Sequence, residues 1–471
     1  MWLGIDIGTS GVKTIIMADN GTVAAEKTVA LPIDRPQPLW SQQNPEDWWN
    51  AVQESILALP ANLRGQIRAV GLSGQMHGAV LLGGADTVLR PAILWNDGRS
   101  APQCIGLDGA ARRYTGNLAM PGFTAPKLAW VRENEPDIFA QVKMVLLPKD
   151  YIRLCMTGEK LSDMSDAAGS LWLDVGKRAW SPEMLSATGL TEAQMPGLIE
   201  GSEAGGALLP DVASRLGLPQ VPVAGGGGDQ AAGAVGAGVI NPKDAFLSLG
   251  TSGVIFASGD GFRPDPANGV HAFCHALPGR WHVMSVMLSA AACLDWVAKL
   301  TGYADVPAAL NAAENRGHKD DTPIFLPYLS GERTPHNDPK ALGVFFGMNH
   351  DTDGAALVAA VLEGVAFGLR DGLDALALDL DELSVIGGGS RSAWWAQILA
   401  DSLGLPLVYR DGAALGPAYG AARLAQLCVG AGSAEEICTK PAELARYHPK
   451  RDVRDRLQKF RSLYKSLQPL F

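Results

Sequence analysis

One pentapeptide occurs twice in this chain. Gly8-Thr9-Ser10-Gly11-Val12 recurs as Gly250-Thr251-Ser252-Gly253-Val254. Each copy follows an apolar run, Leu3-Gly4-Ile5-Asp6-Ile7 or Ala245-Phe246-Leu247-Ser248-Leu249, and precedes another, Thr14-Ile15-Ile16-Met17 or Ile255-Phe256-Ala257. A strand, a turn rich in glycine and hydroxyls, and a second strand, repeated in that order, indicate duplication. The chain therefore reads as an α/β protein of two related domains, 1–238 and 239–471. The join is expected near Gly238-Val239-Ile240-Asn241-Pro242, and 471 residues are enough for two domains.

Local signals extend this outline. Asn20-Gly21 predicts a tight hairpin and Thr22 to Leu31 the next strand. Asn44 as N-cap and Pro45 in the first turn open a helix carrying Trp48, Val52, Ile56 and Leu59 on one face. Strands are expected at Ala69–Leu72 and Ala79–Leu82, flanking the loop Ser73 to Gly78. In the second half, helices are expected over Ala355–Leu376, Ser392–Leu403 and Pro417–Leu427, with strands at Leu383–Ile386 and Leu407–Tyr409. The most apolar stretch, Met284 to Val297, is too short to cross a bilayer and contains Ser285, Ser289 and Asp295, so it reads as a buried helix. Val453, Leu457, Phe460, Tyr464 and Leu467 form one stripe among Arg and Lys, predicting a terminal helix over about 451–467 that packs back.

Charge narrows the partners. With 39 basic and 49 acidic residues the net charge is −10, which argues against nucleic acid or an anionic membrane as a partner. A nucleotide stays open, because backbone N–H groups, helix N-termini and a metal ion can bind phosphate without side-chain cations. Six scattered cysteines without a Cys-x-x-Cys pair suit reduced thiols in the cytoplasm. The start Trp2-Leu3-Gly4-Ile5 lacks the basic residues and apolar run of a signal peptide.

Four segments carry chemistry. In Asp6-Ile7-Gly8-Thr9-Ser10, small residues let backbone amides approach phosphate while Thr9 and Ser10 add hydroxyls, and Asp6 is placed to hold Mg²⁺ through water. The second copy has Ser248 for Asp6 and Ile255 for Lys13. One loop thus carries charges that the other lacks, as expected if Gly8, Thr9, Ser10 and Lys13 face Gly250, Thr251 and Ser252 across one Mg²⁺–nucleotide. In Gly225-Gly226-Gly227-Gly228-Asp229-Gln230, a helix N-terminus favours the carboxylate of Asp229 and so its use as a proton acceptor; an N-cap is the plainer alternative. Gly226-x-Gly228-x-x-Ala231 also fits a dinucleotide fingerprint, but Asp229 would point its charge at the pyrophosphate. Gly387-Gly388-Gly389 after a strand suits a base and ribose lying on bare backbone, and no Walker P-loop occurs. Finally, Gln75, Met76 and His77 together with Trp95, Asn96, Asp97 and Arg99 offer hydrogen bonds and an indole face for a polyol; Asp97 and Arg99 are alternatively a pair.

Together these residues resemble the FGGY carbohydrate kinase family. Gly122-Phe123-Thr124-Ala125-Pro126-Lys127-Leu128-Ala129-Trp130-Val131-Arg132-Glu133-Asn134 fits its first signature. Gly343-Val344-Phe345-Phe346-Gly347-Met348 through Ala360-Val361-Leu362-Glu363 fits its second, apart from Ala356 at a usually polar position. The resemblance implies two duplicated actin/hexokinase-like (ribonuclease H-like) domains around a central cleft, with ATP and Mg²⁺. It also implies Asp229 as base, Met76 and His77 on a ketose, and Asp6 serving metal and activity. Gln75–Gly78, Trp95–Arg99, Met120–Phe123 and Tyr328–His336 resemble the bacterial members acting on D-xylulose. Ribulose, fuculose, gluconate or glycerol are alternative substrates, and a nucleotide-clamping, chaperone-like module is an alternative of another class. A homodimer is also allowed for.

Overall fold

The structure, a computed structural model, describes residues 1–386, 392–411 and 416–471. Two seven-stranded mixed sheets form its centre. In the first, strands run in the order Ala204–Ala207, Pro222–Ala224, Val70–Gly74, Trp2–Ile7, Gly11–Met17, Val23–Ala30, with Gly227–Gly228 also paired to Val70–Gly74. In the second the order is His271–Cys274, Trp281–Met287, Gly253–Gly259, Ala245–Leu249, Leu383–Ile386, Leu407–Arg410, Glu443–Tyr447. Each sheet has an antiparallel meander whose first strand pairs in parallel with a later strand, and that strand with another. This is the duplicated architecture expected from the repeat.

The two pentapeptides nevertheless make different turns. Gly8 donates to the Gly11 carbonyl at 3.0 Å, whereas Gly250 donates to that of Ser252 at 3.0 Å. The register is displaced by one residue: Asp6 lies opposite Lys13, but Ser248 lies opposite Val254. The carbonyls of Gly250 and Thr251 accept from Ala291 and Ala290, both at 2.9 Å, which ties the second loop to the start of the helix Ala292–Leu300.

Two helices cross between the sheets. Asp229–Ala237 ends the first half, and its Ala234, with Val239, shares a core with Phe246 and Phe256 of the second sheet. Gly416–Cys428, from late in the chain, packs on the first sheet, where Ala418 and Ala422 meet Trp2, Ile15 and Met17. Glycines permit the approach: a Cβ at Gly71 would lie 1.8 Å from the Ala421 oxygen, and one at Gly420 would lie 1.7 Å from that of Ala232. Arg423 fastens the crossing by donating to the carbonyls of Val235, Gly236 and Thr439 at 3.0–3.1 Å.

The terminal helix, Arg454–Leu467, buries Leu457, Phe460 and Tyr464 against Ile324, Leu326 and Tyr328 of the second half. One sequence expectation is overturned. Met284–Val297 is not a helix: the strand Trp281–Met287 runs antiparallel to Gly253–Gly259, and the helix begins at Ala292. Met284 and Met287 line opposite faces of a sheet buried on both sides, so apolar residues fall on both faces of the strand and give no alternation to read. No helix among the described residues is long and apolar enough to cross a membrane.

Candidate active site

Strand register brings the two carboxylates together. Asp6, next to last in the first strand, lies beside Ser73, and Ser73 lies beside Gly227. The glycine run therefore delivers Asp229, first residue of its helix, to the sheet end that carries Asp6. Gly226 turns the chain at φ +81°, and a Cβ there would lie 2.3 Å from the Leu72 oxygen. Burial and the negative charge of Asp229 push Asp6 up to about 7. Burial pushes Asp229 up to about 6, against the Gln230 N–H that donates to its carboxylate at 2.7 Å. Asp6 Oδ1 is buried without a hydrogen-bond partner. A divalent cation held by one or two carboxylates, phosphate and water would answer both this orphaned oxygen and the mutual repulsion, so the residues present fit Mg²⁺.

The loop Gln75–Gly78 leaves the strand Val70–Gly74 close by. His77 adopts a left-handed φ of 70°, and its carbonyl accepts from Lys127 Nζ at 2.7 Å and Thr124 Oγ1 at 3.2 Å. Burial, then the Lys127 charge, lowers its imidazole to about 3. The ring is therefore neutral: Nδ1–H donates to the Gly169 carbonyl at 2.6 Å, which leaves Nε2 as an acceptor. Met76 lies over Gly228, where a Cβ would come within 2.8 Å of it, so the thioether lies next to Asp229.

Other residues named from the sequence take different places. Thr9 Oγ1 donates to Gln75 Oε1 at 2.9 Å and accepts from Trp95 Nε1 at 2.9 Å, while Gln75 Nε2 donates to Gln43 at 3.0 Å. The Thr9 hydroxyl hydrogen is thus directed at Gln75, and Gln75 has both ends of its amide bonded within the protein. Trp95 is half exposed and Asn96 is exposed. Asp97 and Arg99 form a buried ion pair at 2.7 Å. The carboxylate also accepts from the backbone of Ser41 and Arg99, and the guanidinium stacks on Trp40 at 3.7 Å. The pair reading that the sequence left open is thus present in the structure, and neither side chain is exposed. Lys13 pairs with Glu26 at 3.2 Å. In the second loop Thr251 is exposed and Ser252 half-buried. Gly387, Gly388 and Gly389 lie outside the described residues.

The profile of the FGGY family of carbohydrate kinases, N-terminal domain, matches residues 1–236, and that of the C-terminal domain matches residues 245–427. The chain belongs to the FGGY family of carbohydrate kinases. Among relatives of this FGGY kinase, the xylulose kinase of Escherichia coli (strain K12) is 53% identical over 100% of both chains. That of Bacillus subtilis (strain 168) is 36% identical over 98% of this chain and 95% of its own. The crystal structure of a xyloylose kinase from Brucella ovis superposes with a TM-score of 0.97 at 46% identity, covering 100% of each chain. An FGGY kinase takes ATP as a substrate.

The second half also reaches this region of the FGGY kinase, a contribution the sequence did not reveal. Arg333 is half-buried, lies 3.4 Å from His271 Nε2, and adds to the charge that lowers His77. Phe123 stands edge-on between His77 and His271, at 4.8 and 5.7 Å. Glu332 fixes the preceding turn by accepting from the N–H groups of Leu288 and Arg333 at 2.9 and 2.7 Å. Arg333 stood in the segment Tyr328–His336, whose only signal was family likeness. Its neighbours are far away in the chain and no periodicity points to them.

Proposed function

We propose that this FGGY kinase transfers the γ-phosphoryl group of ATP to the terminal hydroxyl of D-xylulose, giving D-xylulose 5-phosphate and ADP. The observation that carries this reading is the grouping of a neutral His77, Met76 and Asp229 at one end of the first sheet. Such a grouping offers an acceptor for a sugar hydroxyl, an apolar wall and a base within one short span. The naming of full-length relatives as xylulose kinases supports the choice of sugar.

The chemistry follows from the side chains. Asp229 accepts the proton of the attacking hydroxyl as the new O–P bond forms and the bridging bond to ADP breaks. A carboxylate near 6 is ionised at neutral pH yet basic enough to take that proton. Backbone N–H groups of Gly8–Ser10 and Gly250–Ser252 bind phosphate oxygens from the two halves. Asp6 would hold Mg²⁺ through water, and the ion would supply charge neutralisation on the phosphates. Gly387, Gly388 and Gly389 are the proposed adenosine contacts. A hexonate would bring its own carboxylate towards Asp6 and Asp229, and glycerol would leave hydrogen-bonding groups unpaired, which discriminates against it.

ADP release measured over xylulose, ribulose, fuculose, gluconate and glycerol tests the proposal. D-Xylulose is expected to give the highest kcat/KM. A higher value for ribulose or glycerol would reject the sugar assignment and leave the kinase assignment intact.

A further inference from the structure

One segment touches both ends of this site. Gly169 accepts from His77 Nδ1 at 2.6 Å, and Ser165 Oγ accepts from the N–H of Gly228, the residue before Asp229, at 3.2 Å. Ser165 is held in turn: its hydroxyl donates to Asp163 Oδ2 at 2.5 Å and its N–H donates to the same oxygen at 2.8 Å. Asp163 is anchored by Lys149 Nζ at 2.8 Å, which also meets Asp150 at 2.5 Å and Asp166 at 3.3 Å, all four side chains being fully buried.

Arg153 works on the same glycine run from the other side, donating to the carbonyls of Ala224 at 2.8 Å and Gly225 at 2.6 Å. Burial pushes Asp166 well up, opposed by the Lys149 charge and reinforced by Asp150 and Asp163. None of these groups is needed for the chemistry described above, and a buried cluster of this kind is costly unless geometry is fixed by it.

We infer that Ser165, braced by the Lys149–Asp163 pair, is a positioning residue that sets the place of Asp229, while Gly169 in the same segment sets that of His77. The inference rests on the reading of Asp229 as the base and His77 as a sugar contact. A hydroxyl bonded to the Gly228 N–H fixes the first turn of the catalytic helix. A misplacement of about 1 Å in a reacting group costs on the order of 10²-fold in rate.

Ser165→Ala is expected to lower kcat by about 10- to 100-fold, with KM for sugar and ATP unchanged and the Tm lowered only slightly; Ser165→Thr, which keeps the hydroxyl, is expected to recover most of the rate. Gly169→Ala places a methyl 2.6 Å from Met76 Cε and 2.8 Å from His77 Cε1. It is expected to act mainly on the sugar KM, raising it about tenfold, because the contact it disturbs is one of binding. A Ser165→Ala enzyme with wild-type kcat overturns the inference. So does a crystal structure of Ser165→Ala in which Gly228 and Asp229 keep their positions, whatever the kinetics. Both comparisons are made against wild type on its best substrate, so a wrong sugar assignment shows in the substrate panel and not here.

Discussion

Asp6 and Asp229 are half-buried, Asp6 within range of the charge on Asp229, and folding raises both above the 3.8 of a free aspartate. The folded state therefore holds protons there that the unfolded chain releases. That stabilising contribution is complete below pH 3.8 and lost by about pH 7. At pH 8, Asp6→Asn is expected to raise the Tm by a few degrees while lowering kcat and raising the Mg²⁺ requirement. Ser248→Ala, at the uncharged equivalent, should do little, and equal effects of the two would mean that Asp6 holds no metal. Asp229→Ala is expected to cost about 10²–10⁴ in kcat with ligand affinities within a few-fold. The acidic limb of the wild-type rate profile should fall near pH 6, and wild-type turnover in Asp229→Ala would leave that residue a structural role at the helix start alone. His77, neutral down to about 3, should add no limb between pH 4 and 8, and His77→Ala should lower kcat/KM for the sugar far more than it changes the KM for ATP. These residues were legible because each sits in a motif of glycines or at a strand end. Asp97 and Arg99 were legible only as a pair of possibilities. Spacing brings two such charges near each other in either case, and burial alone decides between a sugar contact and an ion pair.

Helices and strands with a single buried face were the easiest to read. The helix Pro45–Leu57 begins after Asn44, whose Oδ1 accepts from the Glu46 N–H, and Asp353 caps the helix Gly354–Leu376 in the same way. Trp281–Met287 was misread because both of its faces are buried. Likewise, nothing in the string Gly416–Cys428 tells which sheet it will cover, and its small residues acquire meaning only from the glycines opposite. Gly71→Ala and Gly420→Ala are expected to destabilise the protein by about 3 kcal/mol or more, since backbone oxygens occupy the methyl's place. Gly106 and Gly109 in the helix Ala101–Tyr114 have nothing within 4 Å of such a methyl. Alanine there should stabilise by about 0.5–1 kcal/mol each. Thermal melts of the four variants check both signs.

At the scale of the molecule, the two loops proposed to bind phosphate lie on separate sheets and can grip one nucleotide only if the halves approach, with the crossing of Asp229–Ala237 and Gly416–Cys428 as the natural pivot. A smaller radius of gyration by X-ray scattering is expected when sugar and nucleotide are both bound; an unchanged one with both sites filled counts against closure. The repeat made the double architecture visible in the sequence, but not the exchange of helices between its halves. That exchange bears on how the chain is made. The strands Trp2–Ile7 and Val70–Gly74 leave the ribosome among the first residues, yet the helix that covers them, Gly416–Cys428, is among the last. For most of translation the nascent first half carries an uncovered apolar sheet face, which invites aggregation or the attention of chaperones. A fragment ending at residue 240 should then be insoluble when made alone and soluble when residues 241–471 are produced beside it.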